Sequence, residues 1–83
     1  MTMATAPIHD PAFRELEHAR AEMMRAREAI LVRLNDGPQP AGLIIRDVAG
    51  QVHVDRAVVQ KALISALRVG RVRMDRLFRL TLG

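Results

Sequence analysis

Apolar residues recur every three or four positions along the first part of the chain, from Phe13 to Leu34. This spacing places them on one face of an α-helix. Pro11 suits a first helical position, Asp10 before it can cap the N–H groups of the first turn, and the sequence NDGP at 35–38 ends the pattern. The pattern predicts a helix of about 24 residues, roughly 36 Å long, which is longer than one small core can cover.

Two shorter apolar patterns predict two further helices. The first is AGLIIRDVAGQV, residues 41–52, and the second is DRAVVQKALISALRVG, residues 55–70, with Asp55 as its side-chain cap. In the first segment we expect one face to pack on the core, formed by Ile45, Val48, Ala49 and Val52. In the second segment the expected core stripe is Val59, Ala62, Leu63, Ala66 and Gly70, with Leu67 at its edge. The other side of the second segment carries Arg56, Ala57, Gln60, Lys61, Ile64 and Arg68, which we expect to be exposed.

Beyond Gly70 the apolar period shortens to about two, which is typical of β-strands. The segments RVRM and LFRLTL flank Asp75-Arg76 and predict a hairpin over residues 71–82. Asp-Arg is a poor two-residue turn, which favours a wider loop at the tip. The apolar residues that we expect to close the core are Val72, Met74, Phe78 and Leu80. The predicted fold is therefore mainly α with a small β-hairpin.

A chain of 83 residues, of which 49% are hydrophobic, has the size and composition of one folded domain. We assign residues 11–83 to this domain and expect residues 1–10, MTMATAPIHD, to be a disordered tail.

The chain contains no cysteine, which excludes disulfide scaffolds, thiolate zinc sites and thiol enzymes. It has no apolar run near the roughly 20 residues of a membrane span and no signal-peptide pattern, so we expect a cytoplasmic protein.

The positive charge is concentrated toward the C-terminus. Residues 1–35 carry five arginines and five acidic residues, whereas residues 56–83 carry seven cations against Asp75 alone, in a chain of net charge +4. Local clustering of one sign of charge creates the field that attracts an anionic polymer. The alternative to an anionic partner is a solvent-exposed strand face whose arginines only keep the protein in solution.

One segment resembles a bacterial helix-turn-helix, namely RDVAGQVHVDRAVVQKAL. The matching features are a small residue at Ala49, a tight turn around His53 and Val54, the cap Asp55, and the apolar Val59 ten positions after Ala49. The stretches LRVGRV and FRLT resemble the end of the recognition helix and the start of the wing in winged helix-turn-helix regulators, and REAILVRLNDGP resembles the end of their first helix. The resemblance spans about residues 27–82 and is to the superfamily of bacterial-type transcriptional regulators. His53 stands where the motif usually has glycine, and histidine is among the residues that tolerate a positive φ.

This resemblance implies a winged helix-turn-helix fold, α1-α2-α3-β-β with an extended N-terminal helix, that binds double-stranded DNA. The protein would be a small transcriptional regulator or a nucleoid- or phage-type DNA-binding protein. The helix at 55–69 would enter the major groove, and the hairpin at 71–82 would contact the backbone or the adjacent minor groove. The residues that could read bases are Arg56, Gln60 and Lys61. The residues suited to phosphate are Arg68, Arg71, Arg73, Arg76 and Arg79. Ile64 could contact a thymine methyl or pack against a partner subunit.

The first half of the long helix, residues 11–26, is predicted to mediate a homodimer, because apolar residues that no intrachain core can reach would otherwise face water. The expected seam consists of Phe13, Leu16, Ala19, Met23 and Met24. A homodimer would also suit paired DNA half-sites one helical turn apart. A frayed helical extension is the alternative interpretation.

No residue pattern indicates catalysis, a metal or a cofactor. His9, His18 and His53 are scattered, Ser65 is the only serine, and no glycine-rich phosphate loop is present, so we expect no enzyme activity. With two phenylalanines and no tyrosine or tryptophan, base stacking is poorly supported and duplex is favoured over single strands. The alternative functions are a winged-helix protein–protein interaction module and, less favoured, a basic amphipathic segment at a membrane surface.

Overall fold

The computed structural model describes residues 11–83, so the expectation of a disordered tail at 1–10 lies outside the described residues. The described chain is mainly helical, with a small antiparallel sheet of three strands. Its elements are α1 (Pro11–Leu34), β1 (Gln39–Pro40), α2 (Ala41–Val52), α3 (Arg56–Arg68), β2 (Val72–Met74) and β3 (Arg79–Leu82). The three helices and the hairpin lie where the apolar periods predict them.

Helix α1 is longer than the core that it helps to form. Its core-facing residues are Ala26, Ile30 and Leu34, which are almost completely buried. No side chain from Ala12 to Ala21 is buried, although the helix runs unbroken through this segment. The first half of α1 therefore projects beyond the domain, as its predicted length required.

Helix α2 packs on the core through a face that differs slightly from the predicted one. Ile44 and Val48 are completely buried, whereas Ile45, Ala49 and Val52 are only partly buried against the core. The prediction missed Ile44, because both isoleucines fit a helical stripe. The rotation of α2 between α1 and α3 decides which isoleucine points inward.

The turn between α2 and α3 depends on the left-handed backbone of His53, which has φ 57° and ψ 50°. In this conformation the His53 N–H donates to the carbonyl oxygen of Ala49, and the Val54 N–H donates to the same oxygen at 3.2 Å. The expected positive φ at His53 is confirmed. The expected side-chain cap at Asp55 is wrong, because its carboxylate makes no cap hydrogen bond, and only its carbonyl oxygen accepts N–H groups of the first turn of α3.

The sheet has the strand order β1-β3-β2, with β3 in the middle. Strand β1 lies in the PQP connector, where a pairing of only two residues is too short to produce a period-two pattern. Val72 and Leu80 close the core as expected, but Met74 and Phe78 do not, with 47% and 77% of their surfaces exposed. At Phe78 the exposure has a structural cause, because a four-residue loop in which Phe78 has φ 60° interrupts the strand alternation.

A polar network joins α1, β1 and α2. The Arg33 guanidinium donates to Asp47 Oδ2 at 2.6 Å and to the Gln39 side-chain oxygen at 3.2 Å, and the Gln39 amide donates to the Arg33 carbonyl oxygen at 2.9 Å. The hydrogen bond from the Arg46 side chain is the largest influence on the pKa of Asp47 and lowers it, desolvation opposes this shift, and Arg33 lowers the pKa further. Within the described residues, no helix combines the length and apolar character that crossing a membrane requires.

Candidate nucleic-acid interface

The exposed side of α3 carries the side chains that the sequence proposes as base readers. Arg56, Gln60, Lys61, Ile64 and Arg68 are all exposed, and Ile64 leaves 51% of its surface in solvent. The opposite side of the helix holds the buried stripe Val59, Ala62, Leu63 and Ala66. Positions 56, 60, 64 and 68 follow at four-residue steps, so they form a row along the exposed side. Burial of the apolar stripe thus fixes which polar residues α3 presents to a partner.

The connection from α3 to the hairpin places further cations in solvent. Gly70, at φ 80°, ends the helix, and the Arg71 N–H donates to the carbonyl oxygen of Ala66 at 3.0 Å. Because Val72 points into the core, its strand neighbours Arg71 and Arg73 are directed to the outer face of the sheet, and both are exposed. Arg76 is exposed in the loop at the hairpin tip.

Arg79 differs from the other arginines of this region because it is bound within the hairpin loop. Asp75 Oδ1 accepts the N–H groups of Leu77 and Arg79, each at 2.9 Å, and Asp75 Oδ2 accepts the Arg79 guanidinium at 2.9 Å. The backbone hydrogen bond from Arg79 is the largest influence that lowers the pKa of Asp75, with the Leu77 N–H and the guanidinium adding to it against a desolvation effect. Arg79 is only half-exposed, and it stabilises the loop that presents Arg76.

Among the described residues, the other cations of this region have no ion-pair partner. The salt bridges of the described chain include Arg79 but none of the remaining six. We call these six exposed residues the basic strip: Arg56, Lys61, Arg68, Arg71, Arg73 and Arg76. Asp55 lies one residue before the strip and makes no ion pair with it. The strip therefore keeps its full charge for an external anion.

The hairpin tip also exposes two apolar side chains that the sequence analysis did not propose as a surface. Leu77 and Phe78 have 69% and 77% of their surfaces exposed. Strand alternation carries no signal for this, because it predicts Phe78 in the core. The position of Asp75 directly after a strand was a usable signal, since an aspartate often accepts the N–H two residues later and so builds a loop.

A groove of about 490 Å³ lies between α3 and the projecting part of α1. Its α1 wall consists of Leu16, Ala19, Arg20, Met23, Met24 and Arg27, and its α3 wall of Ala62 and Ser65. The structure thus brings four of the five residues predicted for a dimer seam into one groove, while Phe13, 48% exposed, lies outside its lining. Helical periodicity did not predict that Arg20 and Arg27 line this groove or that α3 forms its second wall, because periodicity describes only one element at a time.

Within the described part of the chain, no group of three or more His, Cys, Asp or Glu residues is arranged to hold a metal ion. The chain matches no protein-family model, no curated protein and no solved structure. The function of the chain is therefore inferred from its own residues and their geometry.

Proposed function

We propose that this chain is a winged helix-turn-helix domain that binds double-stranded DNA, as a small transcriptional regulator or a nucleoid- or phage-type protein. The observation that carries the proposal is the basic strip, whose six cations are exposed and unpaired among the described residues. A polyanion is the partner that gains most from such a surface, because binding releases the counterions condensed on its phosphates.

The arrangement of elements supports the winged-helix assignment. Helices α2 and α3 are joined by a tight turn at His53, and a β-hairpin follows α3. The third strand, β1, enters between α1 and α2 and pairs with β3. In a helix-turn-helix the second helix of the pair lies in the major groove, which assigns this role to α3.

Different residues are expected to supply sequence choice and affinity. Arg56 and Lys61 can donate to guanine, and Gln60 can bond adenine through both of its side-chain groups. Arg68, Arg71, Arg73 and Arg76 suit phosphate oxygens, which give affinity and register without sequence information. Arg79 acts on DNA only through the loop, because its guanidinium is bound to Asp75.

A salt series on the full chain with mixed-sequence duplex tests the proposal. The logarithm of the association constant should fall linearly with the logarithm of the salt concentration, with a slope of about −0.9 for each phosphate contact. Arg73→Ala should make the slope shallower by about 1. Arg46→Ala in α2 removes the same charge from an exposed site outside the strip and should leave the slope unchanged. Absence of duplex binding at low salt, or equal effects of both substitutions, would contradict the proposal.

A protein–protein interaction module is the second candidate, favoured by the exposed Leu77 and Phe78 at the hairpin tip. Apolar contacts depend weakly on salt, whereas phosphate contacts depend on it strongly. Duplex binding by the native chain and by a variant with both residues replaced by serine distinguishes the candidates. A DNA-binding domain should bind duplex in both forms with the same salt slope. A protein module should bind duplex only weakly in its native form.

A further inference from the structure

The projecting half of α1 has an apolar stripe with no partner among the described residues. Leu16 and Met24 expose 68% and 54% of their surfaces, although they line a groove instead of a convex face. The same stripe continues into the core through Ala26 and Ile30. The stripe is therefore covered by α3 at one end of the helix and left open at the other.

The charges on this part of α1 have an internal symmetry. From residue 14 to residue 28, every Arg or Glu has a residue of opposite charge at the position equally distant from Ala21 on the other side. The pairs are Arg14 and Glu28, Glu15 and Arg27, Glu17 and Arg25, and Arg20 and Glu22. These eight residues are all the Asp, Glu, Lys and Arg residues in the segment. Such a segment is complementary to a reversed copy of itself.

The groove has nearly the same centre as the charge pattern. Its α1 lining begins at Leu16 and ends at Arg27, so its midpoint lies between Ala21 and Glu22. Two copies of α1 that run antiparallel across this midpoint would each place Leu16 near the level of the other's Ala26. Ala62 and Ser65 of α3 form the other wall of the groove that would receive the incoming side chain.

We propose that the groove is occupied by the α1 helix of a second copy of this chain, which runs antiparallel and has its two-fold axis near Ala21. Each chain then uses the same patch to contain and to fill the groove, as an isologous interface requires. The leucine and methionine side chains supply the affinity by leaving water. The charges supply the orientation, since exposed ion pairs contribute little to stability but discriminate between arrangements.

The charge pattern selects antiparallel over parallel pairing. In a parallel pair in register, each charge would lie at the level of an identical charge on the partner, which is destabilising. In the antiparallel pair, Arg27 lies level with Glu15 of the partner subunit and about 3 Å along the axis from the level of Glu17 of the partner subunit, at 1.5 Å per residue. Within the described part of its own chain, Arg27 has no ion pair.

Analytical ultracentrifugation of the full chain without DNA tests the proposal in a form that does not depend on DNA binding. The native chain should sediment as a dimer at micromolar concentration. Arg27→Glu alone and Glu15→Arg alone should each raise the dissociation constant about tenfold or more at low salt, and the two changes together should restore it. Residues 15 and 27 lie about 18 Å apart on one helix, so the restoration must act between chains.

Asp36→Arg is the matched control, because it reverses an exposed charge outside α1 and should leave the dissociation constant unchanged. Circular dichroism should show native helix content for all variants, since the changed residues lie outside the core. A native chain that sediments as a monomer at 100-micromolar concentrations, or a double variant without restoration, would overturn the proposal. Folding back of the chain's own N-terminal residues onto the groove would give that monomer.

Single cysteines for spin labels test the orientation, since the chain has no native cysteine. In the antiparallel pair, labels at positions 21, 18 and 14 have axial separations of about 0, 9 and 21 Å, so the interlabel distance should increase in that order. A parallel pair would give the same distance at all three positions and would refute the antiparallel arrangement.

Discussion

Two regions of this protein are rich in arginine, and they differ in where the opposing charges lie. In residues 14–28 of α1, each arginine has a glutamate at the mirrored position about Ala21. In residues 56–83, the single acidic residue is Asp75, and Arg79 already binds it. The first region is neutral and complementary to itself, and the second keeps a net field. The same residue type therefore favours a second copy of the chain in one region and a polyanion in the other.

The two regions also differ in how they relate to the core. Residues of α3 and the hairpin alternate between buried and exposed positions, so their cations stand on a packed scaffold. From Ala12 to Arg25, no residue of α1 belongs to the core. The cations of α3 and the hairpin therefore lie on a scaffold that one copy of the chain packs by itself, whereas we propose that a second copy completes the surface of the projecting helix.

The largest expected effect tests this difference in packing. Ile30→Ala should lower the free energy of unfolding by about 2–5 kcal/mol, because it leaves a cavity in the core. Leu16→Ala should change the unfolding free energy of the monomer by no more than about 0.5 kcal/mol, because this side chain is already exposed. Urea denaturation in a dilute, dissociated sample measures both. A comparable loss from the two substitutions would mean that the projecting half belongs to the intrachain core.

The next effect concerns sequence choice by α3. Gln60→Ala should weaken binding to a duplex selected from random sequences by about 1–3 kcal/mol and should relax the preference at one base pair. Gln51→Ala, an exposed glutamine at the end of α2, is the control. Fluorescence anisotropy with the selected duplex and a scrambled one measures the difference. An equal loss of affinity for both duplexes would mean that α3 is not the recognition helix.

A smaller effect should follow from release of Arg79. In Asp75→Asn the amide oxygen can still accept the N–H groups of Leu77 and Arg79, but the charge that holds the guanidinium is removed. The salt slope for duplex should then steepen by about 0.9, the value for one added phosphate contact. Asp36→Asn makes the same change of charge outside the basic strip and should leave the slope as it was. An unchanged slope in Asp75→Asn would mean that position 79 cannot reach DNA.

The smallest effect is local and depends on pH. The pKa of Asp75 is lowered in the folded protein, chiefly by the Arg79 N–H. Its contribution to the loop is therefore complete above the ordinary aspartate pKa and is lost as the pH falls through the lowered folded value. Amide chemical shifts of Leu77 and Arg79, followed by NMR from pH 7 to pH 2, should change together with a midpoint below the ordinary pKa. A midpoint at or above the ordinary value would contradict the hydrogen bonds that hold this loop.

Local features of this fold could be predicted because a few neighbouring residues decide them. The bounds of α1 followed from Pro11 and the NDGP sequence, which start and stop a helix without help from the rest of the chain. The left-handed turn at His53 was expected from the resemblance to a helix-turn-helix, which usually has glycine at this position, and histidine tolerates a positive φ. Exposure of Arg56, Gln60 and Lys61 followed from the apolar stripe on the opposite side of α3. The cap expected at Asp55 failed because a residue type permits a hydrogen bond but does not place it.

What the sequence by itself determined about this protein is the order of helices and hairpin and the clustering of positive charge, since periodicity and charge are properties of neighbouring residues. Only the tertiary structure decided that the connector at Gln39–Pro40 joins the sheet, that Phe78 leaves the core and that Asp75 binds Arg79. It also decided that α3 supplies the second wall of the α1 groove. Each of these outcomes depends on which distant segments meet, and the pattern of a single segment does not contain that information.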